Sequence, residues 1–560
     1  MIVLGFSVGH DKGAVLIKDG KVLIGISQER LTRRKNDGAY SGGAIPTESI
    51  MYCLSEYNLT MEDIDLIVYS TTEIEDNTYE KLNKVFKVPQ KKLKFIPHHL
   101  AHAYSSFFSS GMDEAAVIVA DASGSILNNM NKLSEWYPEK LKEGLEEGQD
   151  WTEGIAIYHM TKDSWKEVYK KWIKYPVPMG TDECTSVGTM YSQGSLQLIY
   201  EPSTSTWSAG KLMGMASYAD KKVVDTAELY AHFTDETETD ICIPNNVIYP
   251  RVHWKSDFYS KSCVAGIYQR EQERISLMLA KIAKNLTNSN NVCTSGGSFL
   301  NCNSNEKILH SGLFDKAFFI PPADDSGIPL GCAWYAYQQV AKIKETELIS
   351  PYFGKSYPNT EIWESVNKVA KGFRMERFDN LDELVSVIAD RLAENRVIGW
   401  FQNGSEIGPR ALGNRSILAS PIPFWMKDHI NHDIKKREWY RPFAPAVLYE
   451  KQGEIFELDY FSPHMLVTTQ VNEEWKNKIP AVTHVDGSAR YQSVTLETNE
   501  RFYKLISKFN EMTGVPVLLN TSFNGPGEPI VETPLDAFNC FVKQNIDVLV
   551  IGDYVISREN

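Results

Sequence analysis

The sequence predicts an α/β protein of two or more domains, and three observations predict it. Its 560 residues exceed what one ordinary core organises. A strand–polar turn–strand unit occurs twice between residues 2 and 169. Segments with helical periodicity lie between and beyond these units.

The first unit opens with the apolar run Ile2–Ser7. A-V-L-I-K-D-G-K-V-L-I-G-I-S then alternates around Asp19-Gly20, a dipeptide favoured in two-residue hairpins. The second unit opens with Ala115–Asp121 and turns through Ala122-Ser123-Gly124-Ser125. It resumes at Gly154–His159 and turns at Asp163-Ser164 into Trp165–Tyr169. The repetition is one of plan rather than of letters, and it suits either one domain of two similar lobes or two unrelated α/β layers. Residues 270–290 carry helical periodicity. Val292–Thr294 read as a strand entering S-G-G-S-F-L-N-C-N, and a further helix is predicted over Gly331–Lys344. Residues 350–360, S-P-Y-F-G-K-S-Y-P-N-T, hold two prolines and a glycine without periodicity. They divide the chain into domains 1–350 and 361–560 joined by a linker, 351–360. Beyond it come a helix (Leu381–Asn395), a strand (Val397–Phe401) and a closing hairpin, I-D-V-L-V-I-G-D-Y-V-I-S.

Composition excludes several functions. Hydrophobic content of 42% and charged content of 23% are ordinary for a globular chain. A net charge of −14 argues against nucleic-acid polymers and anionic membranes, since phosphate contacts need a basic footprint. Cysteines stand at 53, 184, 242, 263, 293, 302, 332 and 540 with no C-x-x-C, which predicts a reduced, cytoplasmic chain. The first residues, M-I-V-L-G-F-S-V-G-H-D, do not read as a signal peptide, and no apolar run reaches the roughly 18 residues of a membrane span.

Three groups of residues could carry chemistry. In P-H-H-L-A-H-A-Y (97–104), His98 and His102 are four apart, so a helix stacks both imidazoles on one face. Asp121 ends an apolar strand and Asp325 lies in the turn P-P-A-D-D-S-G. Two His and two Asp would suit iron, manganese or zinc. The same residues also read as a surface pair, a turn former and a helix cap. V-G-H-D-K-G, D-A-S-G-S and S-G-G-S-F-L-N, which supply Gly124, Gly296, Gly297 and Asn301, each follow a strand and could bring backbone N–H groups to phosphates. None matches G-x-x-x-x-G-K-[ST] or G-x-G-x-x-G. The C-terminal part clusters Arg410, Arg415, Lys435, Lys436, Arg437, Arg441 and Arg490 among Gly, Pro and aromatics, with Asn520, Ser522 and Asn524 in L-N-T-S-F-N. Short, separated basic clusters in an acidic chain suit a small phosphorylated substrate better than a nucleic acid. G-x-S-x-G, H-E-x-x-H and metal-spaced cysteine pairs are absent.

Taken in order, H-H-L-A-H-A, V-A-D-A-S-G, G-K-L-M-G-M-A-S-Y, S-G-G-S-F-L-N, G-P-R-A-L-G-N-R-S-I-L-A, K-K-R-E-W-Y-R-P-F-A-P-A, H-V-D-G-S-A-R-Y-Q and L-N-T-S-F-N resemble the ATP-dependent O-carbamoyltransferases of the nodulation-protein and cephem type. The resemblance runs from about residue 2 to residue 555. It implies a two-lobed N-terminal domain of the actin-like ATPase and sugar-kinase fold, in the branch of the threonylcarbamoyl-transfer enzymes, and a YrdC-like α/β C-terminal domain. It implies that carbamoyl phosphate and ATP give carbamoyl adenylate in the C-terminal domain. The N-terminal domain then transfers the carbamoyl group to an acceptor hydroxyl, releasing AMP. His98, His102, Asp121 and Asp325 fall on metal-ligand positions, with Fe²⁺ the usual assignment and other divalent metals admissible, and Mg²⁺ accompanies ATP. His10 and Lys35 fall on N-terminal active-site positions. Arg410, Lys435, Arg441, Arg490, Asn520 and Ser522 fall on the carbamoyl phosphate and nucleotide site, with Arg415 and Arg437 beside them. The resemblance also implies a small-molecule or glycan-type hydroxyl acceptor, and a homodimer. Segments 128–152 and 220–262 match no block, and acceptor recognition is expected there. Competing readings are an actin-fold small-molecule kinase, a tRNA threonylcarbamoyl-type enzyme, and a metal-stabilised binding protein without turnover.

Overall fold

The structure is a computed structural model describing residues 1–37, 44–72, 77–127, 136–137, 150–175, 184–199, 208–228, 230–244, 257–342 and 348–558. The chain forms two units, Met1–Thr32 with Asn36–Ile349, and Arg33–Lys35 with Ser350–Asn560.

In the first unit the apolar runs become two five-stranded sheets. Strands β1 (Ile2–Val8), β2 (Gly13–Lys18), β3 (Lys21–Ser27), β4 (Leu66–Thr71) and β5 (Leu93–Phe95) are ordered β3-β2-β1-β4-β5. The β2–β3 hairpin turns at Asp19 and Gly20, both with positive φ, as the dipeptide predicts. Strands β6 (Glu114–Ala120), β7 (Asp150–Thr161), β8 (Trp165–Tyr175), β11 (Asn291–Ser295) and β12 (Lys316–Phe319) repeat that order as β8-β7-β6-β11-β12. In each sheet the first three strands are antiparallel and the last two join in parallel. The two similar lobes are therefore real, and the alternative of unrelated layers falls. A small antiparallel pair, β9 (His232–Phe233) and β10 (Ile241–Cys242), lies between β8 and β11 in sequence.

Each lobe follows its fifth strand with a buried helix. In the first lobe this is α1 (His98–Phe108), every residue of which is buried. Later in the unit come α2 (Val187–Leu198), α3 (Phe258–Thr287) and α4 (Ile328–Ala336), the last following the fifth strand of the second lobe. Leu100, Tyr104, Phe107 and Phe108 are almost fully excluded from water, and burying each such side chain contributes roughly 1.5–3 kcal/mol. Helices α1 and α4 pack together, with Phe108 stacked on Trp334 at 6.0 Å. Gly331 makes this possible, since a Cβ there would lie 1.7 Å from the Ala101 carbonyl oxygen.

Two helix boundaries differ from expectation. Helix α3 begins at Phe258, because Asp257 caps it by accepting from Ser260 N at 2.9 Å. Helix α4 begins at Ile328, with proline in its first turn, and continues through a π-turn (Tyr337–Ala341) to Lys342 in a left-handed conformation. The expectation of an entirely reduced chain also fails. Cys184 and Cys242 form a disulfide with Cα atoms 5.5 Å apart. Their sequence separation of 58 leaves no spacing motif to read. The other six cysteines are free and buried.

In the second unit β13 (Phe373–Arg377), β14 (Ile398–Phe401), β15 (Arg415–Ala419), β16 (Ala444–Leu448), β19 (Gln492–Val494), β20 (Val517–Ser522), β21 (Val548–Ile551) and β22 (Tyr554–Arg558) form one mixed sheet, ordered β13-β22-β21-β14-β15-β20-β16-β19. A short pair, β17 (Thr468–Gln470) with β18 (Ser488–Arg490), stands beside it. Helices α5 (Leu381–Ala393), α6 (Glu500–Thr513) and α7 (Pro534–Lys543) complete the unit. Residues expected to form a linker belong to this unit. Gly354 N donates to Ser405 O at 2.9 Å, Ile407 N to Pro351 O at 2.8 Å, and the Tyr352 hydroxyl to Leu412 O at 2.7 Å.

Candidate active sites

In the first unit the two lobes bring corresponding positions together. Asp121 follows the first strand of the second lobe, as His10 follows β1 in the first. His98 and His102 project from α1, and Asp325 lies in the turn leading into α4. One donor atom from each of His98, His102, Asp121 and Asp325 lies within 4.8 Å of the others, and all four residues are buried. His98 Nε2 is 3.3 Å from Asp325 Oδ1 and 3.8 Å from Asp121 Oδ2. His102 Nε2 is 3.4 and 3.2 Å from the same atoms. Ser295 Oγ, 2.9 Å from His102 Nδ1, fixes the ring so that Nε2 faces the cluster. Asp121 Oδ1 accepts from Ala122 N at 2.7 Å, leaving Oδ2 facing inward.

Both Nε2 atoms and Asp121 Oδ2 are buried without a hydrogen bond. Such orphaned polar atoms are costly unless a ligand satisfies them, and this donor set fits a divalent metal. Burial opposes charge on His98, but the carboxylates of Asp325 and Asp121 outweigh it and push its pKa up to about 10. Burial raises Asp121, yet His102 and His98 hold it below the usual carboxylate range. Four groups that shift one another this way form a site for shared positive charge.

The second oxygen of Asp325 turns to His10, with Oδ2 3.3 Å from its Nε2. His10 Nδ1 is 3.3 Å from Asp11 Oδ2. Burial disfavours its charge, but Asp325 and Asp11 push its pKa up to about 9. The glycine turns border the cluster. A Cβ on Gly297 would lie 3.3 Å from Asp121 Oδ1, and one on Gly296 would lie 2.2 Å from Ala120 O. Gly124 sits against Glu153 and His99. Asn301 caps the Cys302–His310 helix and exchanges two hydrogen bonds with Gln269, at 3.0 and 2.9 Å.

Sequence reasoning gave no role to Asp11, Ser125 and Ser295, although they lie within the glycine turns V-G-H-D-K-G, D-A-S-G-S and S-G-G-S-F-L-N, and it missed Glu153 and Lys170, which lie in no motif. It also left His99 without a role. The His99 ring is buried outside the metal set, and burial pushes its pKa down to about 3.

In the second unit Lys435, Arg437 and Arg441 come from the segment before β16 and Arg490 from the end of β18. Lys435 donates to Ser522 O at 2.8 Å, Asn524 O at 2.9 Å and Asn524 Oδ1 at 2.6 Å. Burial, together with Arg437 and Arg441, holds its pKa well below the usual lysine value, opposed by Cys540. Arg437 lies 4.6 Å over the Phe443 ring and donates to Asn431 Oδ1 at 2.7 Å. Its charge is disfavoured by burial and by Arg441 and Arg490, with Glu438 opposing them. Lys435, Arg437, Arg441 and Arg490 thus form one coupled cationic cluster. Fixed cations crowded past mutual comfort are a site for an anion. Ser522 Oγ donates to Asn524 Oδ1 at 2.6 Å, and Asn520 Nδ2 donates to Gln492 Oε1 at 3.0 Å.

Arg415 has another job. Fully buried and 3.6 Å over the Phe401 ring, it donates to the carbonyls of Gln402, Asn403 and Asn414 at 2.6, 3.0 and 3.1 Å. It anchors the loop that carries Arg410, which is half-buried. Lys35 groups with this unit rather than with His10, in a segment whose Arg33 donates to Ile530 O and Pro529 O at 2.7 and 2.8 Å. Of the segments expected to recognise the acceptor, residues 128–135, 138–149, 229 and 245–256 lie outside those described.

Known proteins resemble this chain along nearly all of its length. The model of the carbamoyltransferase N-terminus matches residues 2–86 and 71–334, and that of the carbamoyltransferase C-terminus matches 389–558. Nodulation protein NolNO of Sinorhizobium fredii is 32% identical over 98% of this chain and 79% of its own. The 3'-hydroxymethylcephem-O-carbamoyltransferase of Streptomyces clavuligerus is 32% identical over 62% of this chain and 64% of its own. Among solved structures, full-length HypF in a phosphate- and nucleotide-bound form aligns at a TM-score of 0.34 with 13% identity, over 60% of this chain and 55% of that one. With both of its units matched in order, the chain belongs to the carbamoyltransferase family and is a transferase enzyme.

Proposed function

We propose that this enzyme is an ATP-dependent O-carbamoyltransferase whose two units divide the reaction. The observation that carries the reading is the pair of opposite electrostatic centres, a buried His₂Asp₂ cluster in one unit and a coupled Lys/Arg cluster in the other. In the C-terminal unit, which we read as YrdC-like, water hydrolyses carbamoyl phosphate to carbamate and inorganic phosphate. A carbamate oxygen then attacks the α-phosphorus of ATP, pyrophosphate leaves, and carbamoyl adenylate forms. Both steps build negative charge, and we assign its stabilisation to Lys435, Arg437, Arg441 and Arg490, with Arg410 added on the resemblance of its motif. Lys435 fixes the end of β20, and with it Asn520 and Ser522. Arg415 holds the Arg410 loop in shape.

In the N-terminal unit the acceptor hydroxyl attacks the carbamoyl carbon and AMP leaves. His98, His102, Asp121 and Asp325 would hold the metal, Fe²⁺ in our reading, which when bound supplies a Lewis acid for phosphate and carbonyl oxygens. His10 stands at the edge of this cluster. Hydrogen-bonded to Asp11 and facing Asp325, it can take the proton of the acceptor hydroxyl or donate to the developing oxyanion. Of the glycines read as phosphate-binding, Gly124 and Gly296 spend their N–H groups on Glu153 O and Ala323 O, each at 2.8 Å, so we assign phosphate contact to Gly297 alone. The acceptor class we assign is a small-molecule or glycan hydroxyl.

Isotope exchange tests the division. Labelled pyrophosphate should enter ATP only when carbamoyl phosphate is present. Lys435→Ala should abolish this exchange, whereas Asp325→Asn should keep it and lose transfer to the acceptor. Exchange lost equally in both variants would overturn the assignment of the two half-reactions.

A further inference from the structure

We propose that Glu153 is a positioning residue for the N-terminal metal centre, clamping the helix that carries His98 and His102 to the turn that follows Asp121. The inference rests on reading these residues, with Asp325, as metal ligands. The need for a clamp begins in the sequence. Helix α1 starts after Pro97, which offers no side chain to cap it, so its first N–H groups need partners from elsewhere. Ser125 Oγ accepts from His98 N at 3.2 Å, and Glu153 Oε2 accepts from His99 N at 3.3 Å. The same Oε2 accepts from Ser125 N at 3.0 Å. One carboxylate oxygen therefore joins the first turn of the helix that carries His98 and His102 to the turn that follows Asp121.

The surroundings are built for this bridge. Strand β7 clasps the turn from its other side, with Gly124 N donating to Glu153 O at 2.8 Å and Glu153 N to Ser125 O at 3.2 Å. A Cβ on Gly124 would lie 2.8 Å from Glu153 Oε2 and 3.1 Å from His99 Cδ2, so only glycine lets the three approach. Glu153 Oε1 is ion-paired with Lys170, which is itself boxed by Tyr137 and Trp172, whose ring centres are 5.2 and 5.5 Å away. A negative group at a helix N-terminus is also favoured by the helix dipole. A buried ion pair can often be exchanged for apolar residues without loss of stability. The acceptor that joins the two amides cannot.

The test compares two double variants of the full-length protein, Glu153→Leu with Lys170→Met and Glu153→Gln with Lys170→Met. Both discharge the pair, but only the second keeps a carbonyl acceptor. Metal affinity is read by chelator competition with Fe²⁺, ligand geometry by the visible spectrum of the Co²⁺ form, and the clamp by hydrogen exchange at the amides of His99 and Ser125. The Leu/Met protein should bind metal about 10–100-fold more weakly, with an altered Co²⁺ spectrum and faster exchange. The Gln/Met protein should stay within about threefold of wild type, since one oxygen suffices for both amides. If the Leu/Met pair does not fold, Glu153→Asp, which keeps the charge but withdraws the oxygen, should show the same losses. Equal metal affinity in the Leu/Met and wild-type proteins, or equal loss in both double variants, would overturn the proposal. If the wild-type protein binds no metal, the ligand reading fails instead, and the amide exchange rates alone decide the clamp.

Discussion

His102 has one ring nitrogen held by Ser295 and the other buried beside two carboxylates, which is how a protein presents an imidazole to a cation. Removing any one of the four donors should show this directly. Asp325→Asn should lower metal affinity by more than about 100-fold, beyond the cost of losing a partner that only orients a ligand, while far-ultraviolet circular dichroism stays unchanged. Metal analysis after dialysis reads the loss. In the other unit, Lys435→Ala withdraws three short donations to Ser522 and Asn524 and a charge from the anion cluster. The rate of carbamoyl-phosphate-dependent pyrophosphate release should fall about 100–1000-fold, a range typical of losing one preorganised donor. That His98 and His102 face one point was legible because they are one helical turn apart, whereas their meeting with Asp121 and Asp325 follows from the fold. Glu153 and Lys170 were not legible. They pair across a hairpin, and a Glu and a Lys in strands read as solvated residues until the fold buries them.

The elements were legible where local chemistry fixes them and blurred where tertiary contacts do. Asp19-Gly20 determines its hairpin without help. Helix α3 starts well before its clearest periodicity because a distant cap, Asp257, admits an extra buried stretch. The crossing of α1 and α4 depends on Gly331, which looks incidental in the sequence. Gly331→Ala should destabilise the first unit by about 1–3 kcal/mol through overpacking, seen as a lower thermal midpoint. Strand β7 gives a pH prediction. Burial raises the pKa of Glu153, but Lys170 outweighs it and holds the group at about 2, below its ordinary 4.5. A depressed carboxylate stabilises the fold above its unfolded pKa, so this contribution is complete above about pH 4.5 and is lost as pH falls toward 2. Acid unfolding followed by tryptophan fluorescence should therefore be less steep across that window in the Gln/Met double variant than in the wild type.

At the scale of the whole molecule, duplication builds the buried His/Asp cluster. Two sheets of one strand order place a strand-end residue from the second lobe and a post-sheet helix or turn from each lobe around one point. The repeated plan was visible as strand–turn–strand units, but of the parallel strands that complete the two sheets only Val292–Thr294 was read, because these strands are short and far apart in sequence. The net charge of −14 and the local Lys/Arg cluster coexist, since a few of the 58 basic residues gather in the C-terminal unit while the acidic excess belongs to the chain as a whole. Among the described residues no helix is long and apolar enough to cross a membrane. The disulfide between Cys184 and Cys242 shows how a pairing can arise from fold alone, with no spacing to announce it.

The measurement that tests the central claim most directly needs no acceptor. The protein is incubated with ATP, Mg²⁺, Fe²⁺ and carbamoyl phosphate, each omitted in turn, and phosphate, pyrophosphate, AMP and ADP are followed. The account predicts pyrophosphate and AMP that appear only with carbamoyl phosphate, AMP arising here as the adenylate is lost to water. ADP without pyrophosphate would contradict it and return the chain to phosphoryl transfer.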